Sequence, residues 1–143
     1  MRELEVRHIM STELVTLDAS EDLSLADTIM TLARIRHLPV VDGRRLVGLV
    51  THRDILGAQA SLLQRLSADE QRELKSHVKA GEVMVHDVLT VTPGTSVLDA
   101  ARLIHDEKLG CLPVLENEEL VGIVTEADFV SLVIEAIEVV KGA

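Results

Sequence analysis

The stretch LVGLVTHRD (46–54) recurs as LVGIVTEAD (120–128), and the 74-residue offset extends well beyond it. Laying 6–56 on 80–130 without a gap matches Met10 with Met84, Thr16 with Thr90 and Ala26 with Ala100. Leu38-Pro39 then falls on Leu112-Pro113. Two ungapped copies constrain a chain of 143 residues to a pseudo-symmetric pair, because a solenoid needs more repeats. The quoted phrases differ at three places: Leu49/Ile123 stays apolar, while His52/Glu126 and Arg53/Ala127 change charge.

Each copy alternates its hydrophobic period. ELVTL (13–17) and DVLTV (87–91) are short runs rich in β-branched residues and predict strands. LSLADTIMTLAR (23–34) places Leu25, Ile29, Leu32 and Ala33 on one helical face, and VLDAARLIHDEK (97–108) does so with Leu98, Ala101, Leu103 and Ile104. HLPVVD and RLVGLVT, then CLPVLE and ELVGIVT, predict strand pairs, with hairpin signals at Asp42-Gly43 and Glu116-Asn117. The pattern turns helical after each threonine, so each copy reads β-α-β-β-α. The fold class is α+β: two pseudo-symmetric repeats packed as one module, divided as 1–66 and 67–143. A helical connector over about 57–79 is expected, since SADE (67–70) has the form of a capping box. DFVSLVIEAIEVV (128–140) is apolar nearly all round, so it predicts a buried terminal helix, covered in part by another subunit.

Composition excludes several function classes. No apolar run approaches the roughly 18 residues that span a bilayer, and the charged start MRELEVRHIM is unlike a signal peptide. A net charge of −10 argues against a nucleic-acid partner. Phe129 is the sole aromatic residue, so a planar ligand would have to lie between aliphatic side chains. A single cysteine, Cys111, precludes an intrachain disulfide and suits a reducing, cytoplasmic setting; beside Leu112-Pro113 it reads as a small core residue. His105-Asp106-Glu107 are consecutive on a predicted helix, which is wrong spacing for one metal ion. Walker A, GxGxxG, GxSxG and HExxH motifs are absent from the sequence, and no distinct acid–base constellation points to catalysis.

Thr51-His52-Arg53-Asp54 and Thr125-Glu126-Ala127-Asp128 leave a strand and enter a helix. A threonine N-cap with an acid three residues later is a common capping box and needs no ligand. The same geometry also suits a ribose phosphate. Helix N–H groups and the threonine hydroxyl can donate to phosphate, and an ionised aspartate, acceptor-only, can take hydrogen bonds from sugar hydroxyls. Gly48 and Gly122, three residues before each threonine, permit close approach of backbone or ligand.

The ordered agreement of VRHIM/GEVM, HLPVVD/CLPVLE and GLVTHRD/GIVTEAD across nearly the whole chain resembles paired cystathionine β-synthase (CBS) domains, the Bateman module. The resemblance implies a regulatory module that binds AMP, ADP or ATP as a regulatory ligand in two clefts between the repeats, with S-adenosylmethionine or NAD as variants. It implies that Asp54 and Asp128 hold ribose hydroxyls while Thr51 and Thr125 face phosphate. One cleft would comprise Thr51, His52, Arg53 and Asp54 with Val88, Leu89, Thr90, Gly110 and Cys111. The other would comprise Ile123, Thr125 and Asp128 with Leu14, Val15, Thr16, Arg36 and His37. Related modules often carry a Ser or Thr beside the aspartate, where this chain has Arg53 and Ala127. The expectation is a non-catalytic sensor that holds no catalytic cofactor or metal, forms a homodimer and acts on an effector protein in trans. The rival is a ligand-free interaction module whose boxes only cap helices.

Overall fold

The computed structural model describes residues 3–62 and 66–142. The chain divides into two compact units, one comprising 15–88 and the other combining 1–14 with 89–143.

In the 15–88 unit, β1 (Leu17–Asp18) lies parallel to β2 (His37–Asp42), and β2 pairs antiparallel with β3 (Arg45–Thr51). Helix α1 (Leu23–Ala33) joins β1 to β2, and α2 (His52–Leu62) follows β3 directly. Then come α3 (Ala68–His77) and the single turn α4 (Ala80–Val83). Leu17, Leu23, Ala26, Leu38, Val40, Val50 and Ile55 form the core, each no more than 2% exposed. Burying each larger aliphatic side chain contributes about 1.5–3 kcal/mol, so these strands and helices hold one another.

The other unit repeats the plan with α5 (Val97–Glu107), β4 (Cys111–Glu116), β5 (Glu119–Thr125) and α6 (Glu126–Gly142). β4 and β5 are antiparallel, and Val91 bridges Val114 in parallel as Leu17 does Val40. Its core is Val6, Val91, Ala100, Leu112, Val114 and Val124.

The opening segment of each copy packs with the other copy. Residues 4–11 belong with 89–143: Val97 N–H donates to Leu4 O, Val6 N–H to Thr95 O, and Ser11 and Ile123 exchange two bonds of 2.9 and 3.0 Å. Residues 78–85 repeat these contacts in the 15–88 unit, through Leu23 N–H to Val78 O, Ala80 N–H to Glu21 O, and a reciprocal Leu49–Val85 pair. Contiguous sequence repeats and compact units therefore differ by one exchanged segment from each copy.

Several expectations are corrected. The strands expected over 13–17 and 87–91 shrink to Leu17–Asp18 and to one bridge at Val91. Only Leu17 and Val91 enter cores; Val15 and Leu89 are 40% and 44% exposed. Both helices fall where the period puts them, but their buried faces are rotated. α1 buries Leu23, Ala26 and Met30, with Ile29 packed beside them as expected, while Leu25 and Leu32 face solvent; α5 buries Val97 and Ala100, with the expected Leu103 and Ile104 packed against the core, while Leu98 is exposed. The apolar residues of these helices outnumber those one face can cover, so sequence alone leaves the choice open. The hairpin loops are Gly43-Arg44 and Asn117-Glu118, one residue beyond the dipeptide signals; Gly43, Asn117 and Glu118 have positive φ, as tight hairpins require.

The connector is helical on either side of 63–65, which lie outside the described residues. The SADE box forms as expected, with Ser67 Oγ accepting from Glu70 N–H at 3.2 Å. The terminal helix is left uncovered by the rest of the chain. Within the chain α6 buries no residue, and Val130, Val133, Ile134, Ile137, Val139 and Val140 are all more than half exposed.

Candidate functional site

Each Thr-x-x-Asp box sits where a strand passes into a helix without an intervening loop, at β3–α2 and β5–α6. The first box closes in both directions. Asp54 Oδ2 accepts from Thr51 N–H at 2.9 Å, and Thr51 Oγ1 accepts from Asp54 N–H at 3.2 Å. In the second, Asp128 Oδ2 accepts from Thr125 N–H at 2.8 Å; the described contacts hold no return bond to the Thr125 hydroxyl. A carboxylate offers about four acceptor sites, so each aspartate retains acceptor capacity. His52 N–H donates to Arg36 O at 2.8 Å and Glu126 N–H to Gly110 O at 3.2 Å, so the start of each helix is tied to the segment before β2 or β4. The aspartates are thus caps by observed geometry, and oriented acceptors by the same geometry.

The glycines three residues before each threonine are taken up by packing. A β-carbon on Gly48 would lie 2.8 Å from Met84 Cγ and 3.0 Å from Val85 O. On Gly122 it would lie 2.7 Å from Met10 Sδ and 3.1 Å from Ser11 O. The close approach expected there is that of the exchanged segment.

The remaining residues named from sequence fall as follows. His37 faces Thr51 across the β2–β3 pair, and Cys111 faces Thr125 across β4–β5; Ile123 lies two residues before Thr125. Cys111 is buried, and desolvation pushes its thiol pKa up to about 12, so at neutral pH it is an inert core group. Leu14, Val15 and Thr16, like Val88, Leu89 and Thr90, lie outside regular structure, where the chain passes from one unit to the other. Thr51, His52, Arg53, Asp54, Val15, Thr16, Arg36, His37 and Val88 share the 15–88 unit. Thr125, Asp128, Ile123, Gly110, Cys111, Leu14, Leu89 and Thr90 share the other. The sequence assigned Arg36 and His52 to different clefts. The structure brings both, with Arg34, to one cavity of about 250 Å³ lined also by Met30, Thr31 and Ile35.

Among the described residues no three His, Cys, Asp or Glu side chains are grouped to hold a metal, and no helix is long and apolar enough to cross a membrane.

Residues 6–61 and 80–135 each match the CBS domain. The chain belongs to the CBS domain family. It is 32% identical over 136 residues to a CBS domain-containing protein of Dictyostelium discoideum, covering 93% of each chain. Among solved structures it is similar to a proposed acetoin utilization protein (AcuB) of Vibrio cholerae, at 33% identity and a TM-score of 0.84, covering 99% of this chain and 98% of that one. CBSX2, solved in complex with AMP, is 26% identical with a TM-score of 0.78, over 93% and 98% of the two chains. A CBS domain pair solved with 5′-methylthioadenosine and S-adenosyl-L-methionine is 27% identical with a TM-score of 0.76, over 92% and 96%. The CBS match also reaches an inosine-5′-monophosphate dehydrogenase of Thermoplasma acidophilum, of which the chain spans 22%. The tandem CBS arrangement, the Bateman module, is therefore the frame in which both boxes are placed.

Proposed function

We propose that this CBS pair is a non-catalytic regulatory module that binds an adenosine-containing ligand at its two Thr-x-x-Asp boxes and passes occupancy to an effector protein in trans. The observation that carries the reading is the duplicated, backbone-oriented aspartate at a helix start, where helix N–H groups favour phosphate and a fixed carboxylate suits sugar hydroxyls. Relatives solved with AMP, 5′-methylthioadenosine and S-adenosyl-L-methionine support the ligand class. Under this reading Val88, Leu89, Thr90, Gly110 and Cys111 serve the Asp54 site, and Leu14, Val15, Thr16, Arg36 and His37 the Asp128 site. The unburied apolar length of α6 supports a homodimer, since a face of that size is uncommon on a monomer.

The test is a thermal-shift and calorimetric series with AMP, ADP, ATP, S-adenosylmethionine and NAD, run beside sedimentation. A concentration-dependent rise in melting temperature with at least one of them, on a species of twice 15.6 kDa, is expected. A dimer that responds to none of these ligands would favour the ligand-free interaction module, and a monomer at micromolar concentration would remove the dimer.

A further inference from the structure

Helix α3 docks on α1 inside the 15–88 unit, and it does so without a core. It buries no residue, and its large aliphatic side chain, Leu74, is 41% exposed. Between the two helices lies a polar cavity of about 250 Å³, lined by Ser24, Asp27 and Thr28 of α1 and by Gln71, Arg72 and Lys75 of α3. There Lys75 Nζ donates to Asp27 Oδ2 at 2.9 Å, and the Lys75 side chain is only 11% exposed. By contrast the Arg72–Asp69 pair, at 3.8 Å within α3, lies almost wholly in solvent.

The two ends of α3 are held differently. Its N-terminus closes on itself through the Ser67–Glu70 capping box. At its C-terminus the chain turns extended at Val78 (φ −99°, ψ 121°) and is fixed to the body of the unit. Leu23 N–H donates to Val78 O, and Ala80 N–H to Glu21 O. Between these ends the helix has ten residues, fewer than the about 12–15 an isolated helix needs, so docking on α1 supports it.

The other repeat supplies a control. The positions matching Ser24, Asp27 and Thr28 are Leu98, Ala101 and Arg102, on the corresponding face of α5. A carboxylate on this face is therefore no requirement of the repeat; its partner is Lys75.

We infer that α3 is a strap latched to α1 by the Lys75–Asp27 pair, opening as a unit about Val78 while the rest of the 15–88 unit stays folded. Local stability follows buried apolar contact, and α3 has little to lose on release. Opening lets water take both charges, and Asp27 keeps 35% of its side chain exposed, so salt reaches the latch. The open state uncovers the Ser24-Asp27-Thr28 face of α1, which makes access to that face depend on ionic strength. None of these residues belongs to the proposed ligand sites, so the strap and the nucleotide reading stand or fall separately.

The experiment is native-state hydrogen exchange on the full chain, read by NMR at low urea. Amides of α3 should exchange faster than those of α1 and of the β2–β3 pair, with little urea dependence, because opening exposes little surface. Lys75→Gln should speed α3 exchange by about ten-fold or more and leave the β2–β3 amides nearly unchanged. Asp27→Asn should do the same, and the double variant should add little, as expected of one coupled pair. Added salt should speed α3 exchange in the wild type more than in Lys75→Gln. Arg72→Gln, which removes the exposed pair, should have a much smaller effect. Exchange of α3 only at the rate of the β2–β3 amides would overturn the inference. So would an Arg72→Gln effect equal to that of Lys75→Gln, or additive effects of Lys75→Gln and Asp27→Asn.

Discussion

At the end of β3, Thr51 and Asp54 exchange two hydrogen bonds; at the end of β5, the described contacts between Thr125 and Asp128 comprise one. The residues beside them also differ, with His52-Arg53 at the first helix start and Glu126-Ala127 at the second. Beneath both boxes an exchanged methionine packs on a glycine, Met84 on Gly48 and Met10 on Gly122. The frame is thus duplicated closely while the groups presented on it are not. This teaches that the packing beneath the boxes tolerates little change, whereas the charges beside them are free to differ between the halves.

The largest effect is expected beneath the boxes. Gly48→Ala and Gly122→Ala should each destabilise by about 1–3 kcal/mol through overpacking, read from urea unfolding. Gly48→Ala should cost more, because the new methyl meets Met84 Cγ at 2.8 Å, against 3.1 Å for Met10 Cγ at Gly122. Met84→Ala should relieve the strain at Gly48 only, and Met10→Ala that at Gly122 only. Two neutral alanine substitutions would show that the duplicated lock carries no energy.

The boxes themselves come next. Asp54→Ala should lower stability by about 0.5–2 kcal/mol and Asp128→Ala by less, because only the first box closes both ways. If the aspartates also accept from ribose, each variant should lose about ten-fold in adenine-nucleotide affinity at its own site. Melting temperature and calorimetry on the same two proteins separate the roles. Stability lost with affinity intact would reduce both boxes to caps.

The smallest effect concerns the position where the halves carry His37 and Cys111, and at neutral pH it should vanish. Burial raises the Cys111 thiol from 9.0 to about 12, so the folded chain keeps its proton while the unfolded chain releases it. The associated stability is therefore fully present below pH 9 and is lost as pH rises from 9 toward 12. Unfolding free energies of wild type and Cys111→Ala should keep a constant difference up to about pH 9 and change relative to one another above it. A constant difference throughout that range would mean the thiol is not desolvated in solution.

Much of this protein was legible in its residues. The 74-residue offset, the strand pairs at 37–51 and 111–125, the helices after each threonine and the SADE cap all follow from local pattern, because period and capping are properties of neighbouring residues. The pairing of 4–11 with the second repeat, and of 78–85 with the first, was decided by tertiary structure. Identical local patterns cannot specify which of two equivalent partners a segment will choose; chain connectivity and packing do that. The same limit applies to the helices. Leu25 and Leu32 make as good an apolar stripe as Leu23, Ala26 and Met30, and only the surfaces facing α1 select between them. It applies also to the cationic cavity. Arg34, Arg36 and His52 lie at a helix end, a loop and a helix start, and no sequence period joins them; the fold brings all three to one cavity.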